Sequence, residues 1–257
     1  MATIPRAALD YLSGQVNRIS ADACARVLAV LARIEWTPDN IAQGRELVMQ
    51  ALRSVLPAYT SMAAQASADF YDSARMLCVG EAMGASAVSG YDAAATEGAV
   101  RAFVQKMVDG KPKETFDNLV LSRVDYEMRR AANYCIVANG QRDPLKPKYA
   151  RVPTGAETCD FCLMLASRGF VYHTESSAAV DHTHSSCDCR VICGWSGDDV
   201  EGYDTQAIYD RWQEQISAKA AQRAERNGTT ESEEYAKIMQ SYGRAARNAR
   251  KRGRSRA

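Results

Sequence analysis

The segment from residue 158 to residue 190 reads TCDFCLMLASRGFVYHTESSAAVDHTHSSCDCR and holds four of the eight cysteines and all three histidines. A Cys-x-x-Cys pair opens this segment, and a His-x-x-Cys-x-Cys group closes it. Thiolate sulfurs combined with imidazole nitrogen form the tetrahedral donor set that Zn²⁺ prefers, so the spacing predicts one structural zinc site. The candidate ligands are Cys159, Cys162, His184, Cys187 and Cys189.

Five candidate donors compete for four positions, and the sequence leaves open which of them is spare. Cys187 and Cys189 are separated by a single residue, and we expect both to bind only if the backbone curls around the ion. Four protein ligands would leave no position for an activated water, so we expect a structural ion without hydrolytic chemistry. We expect His173 and His182 at the surface or beside the ligands.

Composition favours a mostly α fold. Among the 257 residues alanine is the commonest and only seven are proline, while 46% of the residues are hydrophobic. We find no run of about 20 apolar residues that could cross a membrane, and the first twelve residues lack the pattern of a signal peptide. We therefore expect a soluble protein without membrane association that stays in a cytosol, where crowded cysteines indicate metal binding more than disulfides.

Proline and glycine positions predict where the helices begin and end. Pro38 follows a capping threonine, which predicts a helix start, and Pro57 predicts a kink or an end. Gly80 predicts a turn, and the Asn139-Gly140 pair predicts the end of a later helix. Residues 143–154 contain three prolines and no helical period, so we expect an extended connector.

This organisation predicts three parts: a helical region over 1–142, a zinc-stapled α+β module over 143–197, and a helical arm over 198–257. The arm ends in a basic tail. Because the whole chain has 32 Lys and Arg against 31 Asp and Glu, the rest of the chain is net acidic once this tail is left out. The tail is suited to binding phosphates or an acidic protein surface. Its cations are Arg244, Arg247, Arg250, Lys251, Arg252, Arg254 and Arg256.

The cysteine-rich segment also resembles a known family. Its pattern, Cys-x-Phe-Cys-x-x-Leu-Ala-Ser-Arg-Gly-x-x-Tyr followed by His-x-x-Cys-x-Cys, is similar to the signature segment of the MuF-like minor head proteins of tailed bacteriophages, also called head morphogenesis proteins. The match covers about 40 residues of the chain. The residues that carry it are Cys159, Phe161, Cys162, Leu165, Ser167, Arg168, Gly169, Tyr172, His184, Cys187 and Cys189.

The resemblance implies a structural protein of the virion, placed inside the capsid near the portal and acting in head assembly and in DNA packaging or ejection. The implied partners are the portal protein and the capsid interior, which we expect the N-terminal helices to contact. Packaged double-stranded DNA is a further expected partner, through the basic tail. Proteins of this kind are sometimes labelled maturation proteases, but we expect no enzyme here.

Two alternatives belong to other functional classes. The stretch from Val180 to His184, with Arg190 and Cys193 after it, resembles the His-metal (HNH-like) nucleases, in which a histidine activates water. Those nucleases close their zinc site with a second Cys-x-x-Cys, which the spacing of Cys189 and Cys193 does not provide. A zinc-containing DNA-binding protein is the other alternative. A serine or cysteine protease is disfavoured because the only histidines lie in the predicted metal loop.

Overall fold

The computed structural model describes residues 2–155, 158–195, 197 and 199–254, with the backbone alone for residues 182 and 245–254. The fold is mostly α, as the composition predicted. The helices are α1 (Arg6–Leu31), α2 (Ile41–Val79), α3 (Ala93–Val108), α4 (Lys113–Arg142), α5 (Asp160–Ala166), α6 (Thr205–Asn227) and α7 (Glu231–Arg254). The strands are β1 (Thr3–Ile4), β2 (Lys148–Pro153), β3 (Cys189–Gly194) and β4 (Asp199–Val200), and a short 3-10 helix spans Val180–His182.

Helices α1, α2 and α4 pack against one another, and α3 lies on α4 and α2. The sequence of helix α1 explains this packing. Its buried residues recur every three or four positions from Leu9 to Leu31, so one face along the whole helix is available to pack against α2 and α4. At the end of the bundle far from the strands, that face meets apolar side chains such as Leu56 of α2 and Val120 of α4. We call this group of side chains the distal core.

The structure moves three of the predicted helix boundaries. Helix α2 begins at Ile41 instead of Pro38, and it continues through Pro57 to its left-handed cap at Gly80, where φ is 93°. Buried side chains on both sides of Pro57, including Leu56, keep the helix intact although proline donates no hydrogen bond. Helix α4 runs past Gly140 to Arg142.

Gly140 serves close packing instead of helix termination. A Cβ placed there would lie 2.8 Å from Cε1 of Tyr149, whose hydroxyl donates a hydrogen bond to the carbonyl oxygen of Val137 at 3.1 Å. The ring of Tyr149 therefore covers the helix backbone at this position. Only a residue without a side chain allows that approach.

The predicted extended connector contains strand β2, which pairs with β3 in an antiparallel ribbon from Lys148↔Gly194 to Pro153↔Cys189. Helix α4 packs on β3, and α5 packs on β2. The chain start is tied to the other side of this region, because β1 runs parallel to β4 with Thr3 opposite Asp199. The ribbon thus brings the segments on either side of the cysteine-rich loop together.

Helices α6 and α7 form a hairpin whose first helix packs on α5. The largest buried cluster contains Leu9 of α1, Ile136 of α4, Val191 of β3, Ile216 of α6 and Ile238 of α7. All three predicted parts contribute to this shared core, and their division stays a prediction. Among the residues described, none of the helices combines the length and the apolar character that crossing a bilayer requires.

Candidate metal centre

Helix α5 presents the first two candidate ligands. Cys159 is the N-cap of this helix, and its Sγ accepts a hydrogen bond from the backbone N–H of Cys162 at 3.4 Å. Leu163 and Leu165, on the same short helix, are buried in the main core and fix its position. The Cys-x-x-Cys spacing therefore places both sulfurs at the first turn of an anchored helix.

The second group lies where the loop after the 3-10 helix enters β3. Ser186 has a left-handed backbone with φ of 59°, and the N–H of Cys187 bonds to the carbonyl oxygen of His184 at 3.2 Å. Beyond this turn the chain is extended, and side chains two residues apart in extended backbone point to the same side. The Sγ atoms of Cys187 and Cys189 accordingly lie 3.1 Å apart. A single turn, placed just before Cys187, is therefore enough to bring both sulfurs to the same side of the chain.

The sulfurs of the Cys-x-x-Cys pair lie next to the donor atoms of the second group. The Sγ of Cys162 lies 3.5 Å from that of Cys187 and 3.0 Å from that of Cys189, while the Sγ of Cys159 lies 3.1 Å from Nε2 of His184. These atoms form two sets of three donors that share Cys162, and within each set the atoms lie within 4.8 Å of one another. The structure thus brings all five predicted donors together and can hold a metal ion there. The four cysteines of the cluster form no disulfide.

Burial differs across the cluster. Cys162, Cys187 and Cys189 are buried, Cys159 is half-buried, and His184 is exposed at the outer edge. Nδ1 of His184 lies 2.8 Å from the carbonyl oxygen of Ser185. His173 is exposed and belongs to neither donor set, whereas the side chain of His182 lies outside the described residues.

A buried arginine that sequence reasoning missed contacts the sulfurs from the ribbon. Arg151 of β2 is 0% exposed, and its Nη1 donates to the Sγ of Cys189 at 3.0 Å. Its Nε donates to the carbonyl oxygen of Ala178 at 2.9 Å, and Nη2 donates to that of Ala179. One guanidinium therefore joins the ribbon, the loop before the 3-10 helix and the cysteine cluster.

Helices α1 and α4 support the cluster from the other side. Arg190, 1% exposed, donates from Nε to Oγ of Ser13 at 3.2 Å. Arg129 donates from Nη1 to the carbonyl oxygen of Cys187 at 2.8 Å, and Asp125 accepts the N–H of Ser186 at 2.6 Å. The ligand loop is thus bonded directly to the helical bundle. In the sequence, the only signal for the two buried arginines was that each stands within a short and mostly apolar segment, KYARVP for Arg151 and CRVICG for Arg190.

Comparison with known proteins gives the family. The model of the VG15 protein family matches residues 3–215, which include the whole cluster and exclude α7. The chain belongs to the VG15 family. A 119-residue stretch is 34% identical to the Gene 15 protein of Mycobacterium phage L5, covering 40% of this chain and 38% of that relative. Both findings indicate a phage-encoded protein. No solved structure matches.

Hydrogen bonds within the cluster of this VG15 family member shift the acidity of its donors. Contacts with Cys162 and with His184 lower the pKa of Cys159 to about 5. The same contact with Cys159, helped by Cys187, raises the pKa of His184 to about 11. Contacts with Cys162 and Cys189 lower the pKa of Cys187. Contacts with Cys159, Cys187 and Cys189 raise the pKa of Cys162, and contact with Cys187 together with burial raises that of Cys189 although Cys162 lowers it. Cys159 and Cys187 are therefore the two thiols of the cluster that deprotonate readily, as binding of a soft or borderline metal ion requires.

The predicted nucleic-acid-binding tail of this VG15 family member begins at an exposed residue, Arg244. The α7 backbone includes the next five tail cations, whose side chains lie outside the described residues, as does Arg256 altogether. Tyr242, one turn before them, donates to Oδ2 of Asp160 at 3.3 Å. The last described side chains of α7 therefore lie against α5, beside the cysteine cluster.

Proposed function

We propose that this VG15 family member is a structural minor head protein, located inside the bacteriophage capsid near the portal and acting in head assembly and in DNA packaging or ejection. Three observations support it: the family match, the stretch shared with a mycobacteriophage protein, and the likeness of the cysteine-rich segment to MuF-like head proteins. The portal and the capsid interior are the proposed partners of the N-terminal helices. Before reaching them, the protein is in the host cytoplasm.

The two sets of soft and borderline donors that share Cys162 carry the proposal of a structural zinc ion. Sulfur-rich tetrahedral sites of this kind stabilise segments that cannot build an apolar core of their own. The loop between Ala179 and Cys189 fits that description, since Val180 is its one large apolar side chain in the main core and its cysteines bury their sulfurs against Arg151. The zinc ion would fix the loop and α5 against the ribbon, and no catalytic step is assigned to it. We propose no enzymatic activity.

The basic tail is proposed to contact packaged double-stranded DNA through its phosphates, without reading sequence. In support, Arg244 is exposed, and the cations of α7 follow one another with no acidic residue after Glu234. An acidic protein surface of the portal is the other partner that such a tail fits. Removing residues 244–257 should flatten the salt dependence of DNA binding, and an unchanged dependence would assign the tail to a protein partner.

The function can be tested in the phage that encodes the protein. Purified virions should contain the protein in a form that external protease does not reach, and an amber mutation in its gene should yield particles with defective DNA content. Co-expression with the portal protein of the same genome should give a complex on a gradient. Normal, infectious particles from the amber mutant in a non-suppressing host would contradict the proposal.

The metal is tested separately in the purified full-length chain. We expect about one zinc per chain by elemental analysis, lost in Cys162→Ser. Cys24→Ser is the matched control because Cys24, half-buried on α1, belongs to neither donor set. A wild-type chain that retains no zinc after purification under reducing conditions, and takes none up on refolding, would refute the metal centre.

A further inference from the structure

A pocket between α5 and α7 is lined by residues other than the metal donors. Its volume is about 280 Å³. Small-molecule sites usually hold roughly 300–1,000 Å³, so this space suits one large apolar side chain better than a cofactor. Its apolar lining consists of Phe161, Met164 and Leu165 of α5 together with Met239 and Tyr242 of α7.

The walls of this pocket are already fixed by the fold. Leu165 and Tyr172 are buried in the main core, and the Tyr172 hydroxyl donates to the carbonyl oxygen of Leu165 at 2.7 Å. The rings of Phe161 and Tyr242 lie with their centroids 6.1 Å apart, and both side chains are half-buried, as is Met239. A preformed apolar surface that stays partly open to solvent loses little conformational entropy when a partner binds.

Two polar groups of the lining are available to a ligand. The Oγ of Ser176 is buried without a hydrogen-bond partner, and a buried hydroxyl in this state is destabilising until a donor or acceptor reaches it. Arg168 also lines the pocket and is exposed. Among the described residues, its guanidinium pairs with no carboxylate. An anionic group beside an apolar one would match both features.

The charge around the pocket is positive. Asp160, at the start of α5, is neutralised by Lys219 of α6 at 2.5 Å, and Glu175 of the neighbouring loop lies 3.6 Å from Arg130. On α7, the pocket residue Gly243 is followed by the exposed cation Arg244. Cations therefore stand on both sides of the apolar lining, and such a rim attracts an anionic partner.

We propose that this pocket binds an acidic segment of a partner protein. A large apolar side chain of the segment enters the pocket, and a neighbouring carboxylate pairs with Arg168. The methionines of the lining favour this occupant, because methionine adapts its shape to apolar side chains. Bases of a DNA duplex are stacked and reach such a pocket only when flipped out, so packaged DNA fits it less well. The proposal requires neither the zinc ion nor the location in the capsid proposed above.

Binding is tested by NMR on the full-length chain, labelled with ¹³C in the methionine methyl groups. The probes are the acetylated and amidated peptide Asp-Asp-Phe-Asp-Asp and its analogue with Leu in place of Phe. At least one of them should shift the methyl signals of Met164 and Met239, assigned by Met→Leu variants. The signal of Met62, which is exposed on α2 and does not line the pocket, should stay unchanged. Unchanged Met164 and Met239 signals with both peptides at millimolar concentration would overturn the proposal.

Two control peptides separate the apolar contribution from the charge. Ala in place of the central residue should weaken binding about tenfold or more, because one large apolar side chain is no longer buried. Asn in place of every Asp should weaken binding about 2–5-fold, as expected for exposed ion pairs. Equal affinity of the parent peptide and either control peptide would contradict the proposed occupant.

Arg168→Gln tests the recognition of charge in the protein. It should weaken binding of the acidic peptide about 2–5-fold and leave binding of the Asn peptide unchanged. Arg33→Gln is the matched control, because Arg33 is an exposed arginine just after α1 that does not line the pocket. The same affinity in both variants would remove the role of Arg168.

A short DNA duplex is the competing probe. It should leave the methyl signals of Met164 and Met239 unchanged even where it binds the basic tail. A duplex that shifts both signals and displaces the peptide would assign the pocket to nucleic acid and overturn the proposal.

Discussion

The distal core and the cysteine cluster stabilise their surroundings in different ways. The distal core consists of apolar side chains on helices, such as Val27, Leu52 and Phe116, each at most 2% exposed. Around the cysteine cluster, arginine, asparagine and threonine side chains are buried instead, bonded to backbone carbonyls and to sulfur. Apolar burial dominates the first region, whereas the second also contains buried hydrogen bonds and, under the proposed function, bonds to a metal ion. The two should therefore respond to different perturbations.

Metal removal should give the largest effect and should be confined to the second region. Structural zinc sites contribute roughly 10–16 kcal/mol of apparent binding free energy, which unfolds the dependent segment when the ion is lost. Hydrogen exchange measured with and without a strong chelator should show lost protection over residues 158–193 and retained protection around Leu52. If the chelator reduced protection from hydrogen exchange equally across the chain, the two regions would not be energetically distinct.

Leu56→Ala should give the converse result. Leu56 is 0% exposed in the distal core, and truncating such a side chain costs about 2–5 kcal/mol through lost burial and the cavity left behind. Urea unfolding should show this loss, while zinc content stays at the wild-type value. Reduced zinc content in the folded variant would mean that the distal core also shapes the metal centre.

Asp143 tests the junction between the bundle and the ribbon. Burial would raise its pKa, but hydrogen bonds from Trp195, Leu145, Arg75 and Tyr71 lower it to about 2 from the ordinary 3.8. A depressed carboxyl pKa stabilises the folded state above about pH 4, and this stabilisation is lost as the pH falls towards 2. The shift corresponds to about 2 kcal/mol.

Unfolding free energies measured between pH 5 and pH 2.5 should therefore fall more steeply in the wild type than in Asp143→Asn. The variant should be less stable at neutral pH, with the difference shrinking as acid is added. A constant difference over this range would show that the charge of Asp143 is not the stabilising feature.

Two glycine-to-alanine changes give the smallest effects and opposite signs. Gly140→Ala places a methyl group against the Tyr149 ring, and overpacking of this kind costs about 1–3 kcal/mol. Gly98 lies exposed in α3 with nothing near its missing Cβ, so Gly98→Ala should stabilise the helix by about 0.5–1 kcal/mol. Thermal unfolding should give a lower midpoint temperature for Gly140→Ala and a higher one for Gly98→Ala. Equal changes in midpoint temperature would contradict the packing role of Gly140.

Local patterns in the sequence were sufficient for the fold class and for the five donors. Alanine-rich apolar periodicity predicted helices, and the spacing of Cys159, Cys162 and His184 predicted one cluster, because both depend on residues close together in the chain. Helix α2 continues through Pro57, and α4 runs two residues past Gly140, because buried packing around Leu56 and Tyr149 outweighs local propensity. The partners of the basic tail stay a prediction.

By itself, the sequence determined a mostly helical, phage-family chain and the set of residues able to hold a metal ion, since donor chemistry and helical period are local properties. The tertiary structure alone decided that Arg151 lies buried against the Sγ of Cys189, that Arg190 bonds to Ser13 of α1, and that Arg129 of α4 supports the ligand loop. These are contacts between residues tens to more than a hundred positions apart. No local pattern encodes them, because the charge balance of a buried site depends on every group that folding brings around it.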